Sequence, residues 1–145
     1  MAYSTISKPS LYFNTKLYAG NGGTNNITGV GFQPDWVWIK KRNVSANHHT
    51  FDAVRGVTKV LKQNETDAET TVATTLTSFD SDGFTVGSDT SVNGNLLASW
   101  NWKANGSGSS NSDGSITSTV SANTTAGFSI VSIQVLVLML LLDMG

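Results

Sequence analysis

The side chains with which this 145-residue chain could do chemistry are few: two histidines, ten acidic residues and four tryptophans, with no cysteine. The histidines are neighbours, His48 and His49. Adjacent residues on a strand point to opposite faces, so the pair cannot close on one metal ion as i, i+2 or i, i+4 pairs do. They read as polar loop or strand-edge residues. Asp80-Ser81-Asp82-Gly83 has the look of an acidic calcium loop. Its glycine comes too early, however, and Ser91 stands where the closing glutamate belongs, so a hairpin turn is the better reading. Glycosidic cleavage needs two carboxyl groups flanking one bond. The candidates are Asp52, Glu65, Asp67, Glu69, Asp80, Asp82 and Asp89, and most sit in stretches that read as turns or solvated loops. Serine, histidine and aspartate are all available for a triad, yet no G-x-S-x-G elbow presents a nucleophile. Asp52 and Arg55, in F-D-A-V-R-G, read as a strand-end ion pair that fixes the turn at Gly56. The chain therefore reads as non-enzymatic, with no catalytic, cofactor-binding or metal-binding residue to assign.

The tryptophans are a different resource. Trp36, Trp38, Trp100 and Trp102 lie in the best-patterned segments. The first expectation is that they form the structural core together with Phe79 and Phe84. If one pair faces outward, Trp36 and Trp100 become glycan contacts, because an aromatic face offers a large rigid surface to a sugar ring. The Asn, Ser and Thr-rich loops would then supply hydrogen bonds.

The elements that must position these residues are strands. Ser, Thr, Asn and Gly make up 63 of the 145 residues, and these types bond locally to backbone or lose too much entropy in helices. Short aromatic and β-branched runs alternate with Gly, Asn, Asp and Ser turns, which predicts an all-β antiparallel sandwich. Candidate strands are residues 11–14, 16–19, 27–31, 35–41, 50–54, 72–79, 84–87, 97–103 and 127–132. In D-W-V-W-I-K-K, Trp36 and Trp38 share one face and Val37 and Ile39 the other, the signature of a central strand. Pro34 fits the position ahead of it. Trp100 and Trp102 likewise share a face, with Ser99 and Asn101 opposite, which predicts one buried and one wet side. Asp82-Gly83 between two β-prone runs predicts a tight hairpin. Residues 55–62 fit either a strand or a short helix, and 64–71 an acidic loop.

The length suits one domain. Residues 1–103 form its core, 104–115 a mobile Gly/Ser/Asn-rich loop or linker, and 116–132 further strands of the same or a following half. A net charge of −1 with nine scattered basic residues offers no footprint for nucleic acid or an anionic membrane. The opening M-A-Y-S-T-I lacks a basic stretch followed by an apolar run and does not read as a signal peptide.

Residues 133–145 break the pattern, with eight consecutive apolar residues from Val135 to Leu142. That run is far below the ~20 residues of a membrane helix, and as an exposed strand it would be an aggregation hazard. A frame change accounts for it: suitable codons for Ser132 to Gly145, read in a shifted frame, give Y-T-G-T-G-S-N-A-T-V-G-H-G. That peptide shares Y-x-G-x-G and a following N-x-T with the segment from Tyr18 to Gly31. The expectation is a sandwich incomplete at its C-terminus, poorly soluble on its own.

Residues 1–106 resemble a domain family of tail-fibre and other virion structural proteins of marine bacteriophages. The resemblance is carried by S-K-P-S-L-Y-F-N-T-K-L-Y from Ser7, I-T-G-V-G-F-Q-P-D-W-V-W-I-K from Ile27, F-D-A-V-R-G from Phe51, L-T-S-F-D-S-D-G-F from Leu76 and W-N-W-K-A-N-G from Trp100. It implies a concanavalin-like or jelly-roll sandwich, a virion location, other tail proteins as partners, a host-surface glycan as ligand, and a homotrimer by family analogy. It supplies no catalytic residue. Members continue after G-F-S-I-V with Y-T-G-x-G and a second half. The alternative is a carbohydrate-binding sandwich module of a secreted or surface protein.

Overall fold

The computed structural model describes residues 6–134. The opening M-A-Y-S-T segment and the apolar run from Val135 onward lie outside the described residues. After a single 3-10 turn at Pro9–Leu11, the strands are β1 (Phe13–Ala19), β2 (Asn25–Thr28), β3 (Trp36–Lys41), β4 (His49–Asp52), β5 (Gly56–Leu61), β6 (Thr70–Thr71), β7 (Leu76–Asp80), β8 (Gly83–Val86), β9 (Leu96–Trp102), β10 (Ser109–Asn111), β11 (Ser118–Asn123) and β12 (Phe128–Ile133), with one helical turn, α1 (Thr90–Asn93), between β8 and β9. The protein is an all-β, antiparallel, sandwich-like arrangement.

The largest sheet has six strands in the order β1-β9-β3-β4-β5-β6. The two tryptophan strands, β3 and β9, are therefore adjacent and central. On one face of this sheet Val37, Ile39, Phe51, Val60 and Leu97 pack against Ile27, Leu76, Phe84 and Val86 of a three-stranded sheet, β2-β8-β7. This is the hydrophobic core. A second three-stranded sheet, β10-β11-β12, meets the opposite face through Phe128. β1 to β9 thus fall within the segment expected to hold the core and β11 within 116–132, while β12 runs one residue past it, so Ile133, expected in the off-pattern tail, pairs with Ser118 as part of the sheet.

The Asp-Gly hairpin is present: Asp80 pairs with Gly83, leaving Ser81 and Asp82 as the turn. Only glycine fits there. Gly83 has φ +151, and a Cβ would lie 1.9 Å from the Ile27 carbonyl oxygen on the neighbouring strand. Asp82 then reaches across the turn. Its carboxylate accepts the backbone N–H groups of Gly29 (2.9 Å) and Gly31 (2.6 Å), tying the hairpin to the loop that leads into β3.

Several expectations are corrected. Trp36, Trp38, Trp100 and Trp102 are half-buried and lie outside the core cluster, whereas Phe84 is fully buried within it and Phe79 packs against it. The reason is the pleat: Val37, Ile39 and Leu97 take the core face, so the indoles project from the other. Ser99 and Asn101, expected on a wet side, are fully buried. Asn101 lies opposite Val37 of β3 and Asn14 of β1, and its amide donates to the Asn14 carbonyl and to Ser99 Oγ. Candidate strands 11–14 and 16–19 are one strand, β1. Residues 55–62 resolve as β5. The polar segment 104–115 is not wholly loop, because Ser109–Asn111 pairs with β11. Polar side chains do not prevent ladder pairing when the backbone is free to extend.

Candidate ligand-binding cleft

The register of β3 and β9 sets Trp36 opposite Trp102 and Trp38 opposite Trp100. Since opposed residues share a face, the four indoles form a two-by-two block on the outer side of the large sheet. Trp38 and Trp100 are 5.7 Å apart and tilted by 51°. Phe13, opposite Trp102 on β1, extends the block with ring centroids 4.8 Å apart. From the third sheet, Phe128 stacks on Trp102 at 6.2 Å and meets Trp36 edge-on at 6.4 Å.

Phe128 covers the block only in part. What remains is a cleft of about 320 Å³ lined by Trp36, Trp38, Gln63, Trp102 and Phe128. A second cleft of about 400 Å³ shares Trp36 and runs between Asp52, Arg55 and Leu61 and the strand residues 129–133. Both volumes suit a small ligand or one or two rings of a larger one. Of the two candidate glycan contacts, Trp36 lines both clefts and Trp100 lines neither; Trp38 and Trp102 take the places beside Trp36.

A polar rim borders the aromatic block. Trp38 Nε1 donates to His48 Nδ1 at 2.9 Å, which leaves the imidazole's proton on Nε2 in the neutral ring. The His48 backbone N–H donates to Asn64 Oδ1 (2.8 Å), and Asn64 Nδ2 donates to Asn47 Oδ1 (3.0 Å). His48 and His49 do face opposite ways: His48 packs on Trp38, while His49 is buried on the core side.

The charged residues beside the second cleft are already paired. Arg55 Nε donates to Asp52 Oδ2 (2.5 Å) and Nη1 to Glu69 Oε2 (2.9 Å). Asp52 Oδ1 also accepts the backbone N–H groups of Val54 and Arg55, so this carboxylate holds the turn into Gly56, as F-D-A-V-R-G predicts. The remaining carboxylates do comparable work. Asp80 accepts from Ser78 and Thr85 hydroxyls, Asp67 pairs with Lys62, and Asp89 caps α1 through the Ser91 N–H. Glu65 is exposed.

A separate cleft of about 320 Å³ brings His49, Asp89 and Ser91 together with Lys62, Thr70 and Thr75. There Ser91 Oγ donates to Asp89 (2.5 Å), which is not the order of a triad, in which the serine donates to the histidine. Burial holds the His49 imidazole below its ordinary pKa. Among the described residues no cluster of three His, Cys, Asp or Glu could hold a metal ion, and no helix is long and apolar enough to cross a membrane.

Two buried polar residues escape a reading of the sequence. Asp35 is 3% exposed, and its Oδ2 accepts the Ala104 N–H (2.7 Å), fastening the exit of β9 to the entrance of β3. The signal was its place between Pro34 and the aromatic run. Asn93 is 1% exposed and bonds to Asn21, Gly23, Asn25 and Gly87, knotting three loops. Nothing in the local sequence marks it apart from other Asn-Gly pairs.

Residues 8–135 match the model of a family described as a domain of unknown function, DUF7483. No curated protein and no solved structure matches the chain.

Proposed function

We propose that this chain, which belongs to the DUF7483 family of domains of unknown function, is a non-enzymatic virion module of a phage tail fibre or tail-associated protein that binds a host-surface glycan at the tryptophan cleft. One observation carries the binding half of this reading: the indoles of two central strands, which a sandwich would ordinarily bury, are left half-open on one face with a cleft between them and an amide-rich rim beside it. Aromatic faces take the C–H face of a pyranose, and Gln63, Asn47, Asn64 and His48 are of the type that exchanges hydrogen bonds with hydroxyls. The virion half rests on the resemblance of F-Q-P-D-W-V-W-I-K and its companion strings. Because the residues lining the tryptophan cleft carry no charge, and Arg55 of the adjoining cleft is already paired with Asp52 and Glu69, the site favours a neutral sugar over a uronate or sialate.

A glycan array of bacterial surface polysaccharides tests this. Wild-type protein binds neutral glycans, and both Gln63→Ala and Trp36→Ala lose that binding while keeping a cooperative melt. Binding that survives both substitutions removes the cleft from the account. A carbohydrate-binding module of a secreted or surface protein would use the same cleft. Genes adjoining the coding sequence separate the two, since virion genes favour the first.

A further inference from the structure

We propose that the Asn105-Gly106 bond is a self-deamidation site, placed at the joint between the large sheet and the C-terminal sheet. Asn-Gly pairs are the fastest to form a succinimide, because a glycine nitrogen has no side chain beside it to hinder its approach to the asparagine carboxamide. The described residues contain three such pairs: Asn21-Gly22, Asn93-Gly94 and Asn105-Gly106.

The fold protects two of them. Asn93 is buried, its Nδ2 donates to Asn21 Oδ1, the Gly23 carbonyl and the Gly87 carbonyl, and its Oδ1 accepts from Asn21 N and Asn25 Nδ2. Asn21 is held by the same knot: its Nδ2 donates to the Thr24 carbonyl and its Oδ1 accepts the Gly23 N–H. The attacking nitrogen there, Gly22 N, is itself donated to the Asn93 carbonyl. Neither carboxamide can swing onto the next nitrogen without breaking these bonds.

Asn105 is different. It is exposed, its carboxamide has no partner among the described residues, and a Cβ built on Gly106 would meet no atom within 4 Å. Only its backbone is tied, through the N–H donated to Ser121 Oγ (2.8 Å) and an isolated bridge to Ser107. The chemistry needs solvent alone. Gly106 N, losing its proton to solvent base, bonds to Asn105 Cγ; the Cγ–Nδ2 bond breaks and ammonia leaves. Water then opens the succinimide at one of its two carbonyls, giving aspartate or isoaspartate. The isoaspartyl product lengthens the main chain by one carbon and adds a negative charge. It does so between Ala104, which is anchored to Asp35, and Gly108, where a Cβ would lie 2.6 Å from the Val120 carbonyl oxygen.

The test is a time course of the intact protein at 37 °C at mildly alkaline pH, followed by peptide mapping. Cleavage after lysine and arginine puts the three sites on separate peptides: 17–40, 63–103 and the peptide beginning at Ala104. The Ala104 peptide gains roughly one mass unit, with isoaspartate detectable at residue 105, on the order of tenfold faster than the other two, whose reaction waits on local opening. Asn105→Gln, a change at an exposed side chain, abolishes the gain. Equal rates at all three sites, a faster rate at Asn21 or Asn93, or an unmodified Ala104 peptide when the unfolded chain reacts there would each overturn the assignment.

Discussion

At the scale of single residues, the fold separates two kinds of aromatic side chain that the sequence presents alike. Phe84 is fully buried between two sheets, while Trp36 shares its strand with core residues yet faces the other way. Phe84→Ala should therefore cost about 3–5 kcal/mol of stability. Trp36→Ala should cost about 1–2 kcal/mol, as a half-buried ring away from the core. Urea unfolding of both variants checks the order, and a larger loss for Trp36 would return that residue to the core. Two titratable groups both make stability fall as pH falls, in different windows. Asp82 is held below the usual carboxylate range, first by the backbone N–H groups of Gly29 and Gly31. Its contribution is complete above the unfolded pKa of ~3.9 and is lost as pH falls through the lower native value; Asp82→Asn should show a smaller loss of Tm below pH 4 than wild type, and an equal loss in both would show that another carboxylate sets the acid limb. His49 is held low by burial, so below its unfolded pKa of ~6.5 the unfolded chain binds a proton that the native state refuses. Stability falls as pH drops from there until the native pKa is passed. His49→Gln should flatten the Tm profile through that window, and an unchanged profile would show that another group sets it.

At the scale of elements, most strands were legible in the sequence, and the reasons for the failures are physical. The string from Asp35 to Lys41 is apolar at every position along its core, so its centrality could be read directly. The pattern from Leu97 to Lys103 could not assign its faces, because alternation reports that two faces differ without reporting which one meets the core. Asn101, opposite Asn14 and Val37, and Ser99, opposite Lys16 and Ile39, are buried through a register that only the assembled sheet supplies. β10 was hidden, and β11 was expected only as an unplaced strand within 116–132, for another reason. Their residues are nearly all Ser, Thr and Asn, and what makes them strands is backbone pairing rather than a buried stripe. The Asp-Gly hairpin was legible because its chemistry is local. Gly83→Ala would place a methyl group against the Ile27 carbonyl oxygen, and should destabilise the β2-β8-β7 sheet by roughly 1–3 kcal/mol or more. Faster amide exchange across β2 and β8 is the measurement, and native exchange rates there would contradict the packing described.

At the scale of the whole molecule, two sheets enclose the core and a third leans on the opposite face through Phe128 and through hydrogen bonds of Ser121 and Asn123 to the chain leaving β9. The candidate cleft exists because that third layer is small. Its position could not be read from the sequence, since it depends on Asp35 anchoring Ala104 and on Asn123 Nδ2 reaching the Lys103 carbonyl. Among the described residues β12 is an edge strand, with Val131 54% and Ile133 58% exposed. It carries no charge to discourage pairing with other chains. Val131→Lys should lower self-association measured by light scattering without lowering Tm, whereas unchanged association would place the sticky surface elsewhere. The binding claim rests on the tryptophans being reachable, and indole N–H resonances report each of them separately. The decisive measurement is therefore a titration of labelled protein with a neutral host-surface oligosaccharide, following the four indole signals. Shifts concentrated at Trp36, Trp38 and Trp102, with Trp100 moving least, are the expected result. Four unmoved indoles while the same oligosaccharide binds elsewhere on the protein would contradict the cleft as its site.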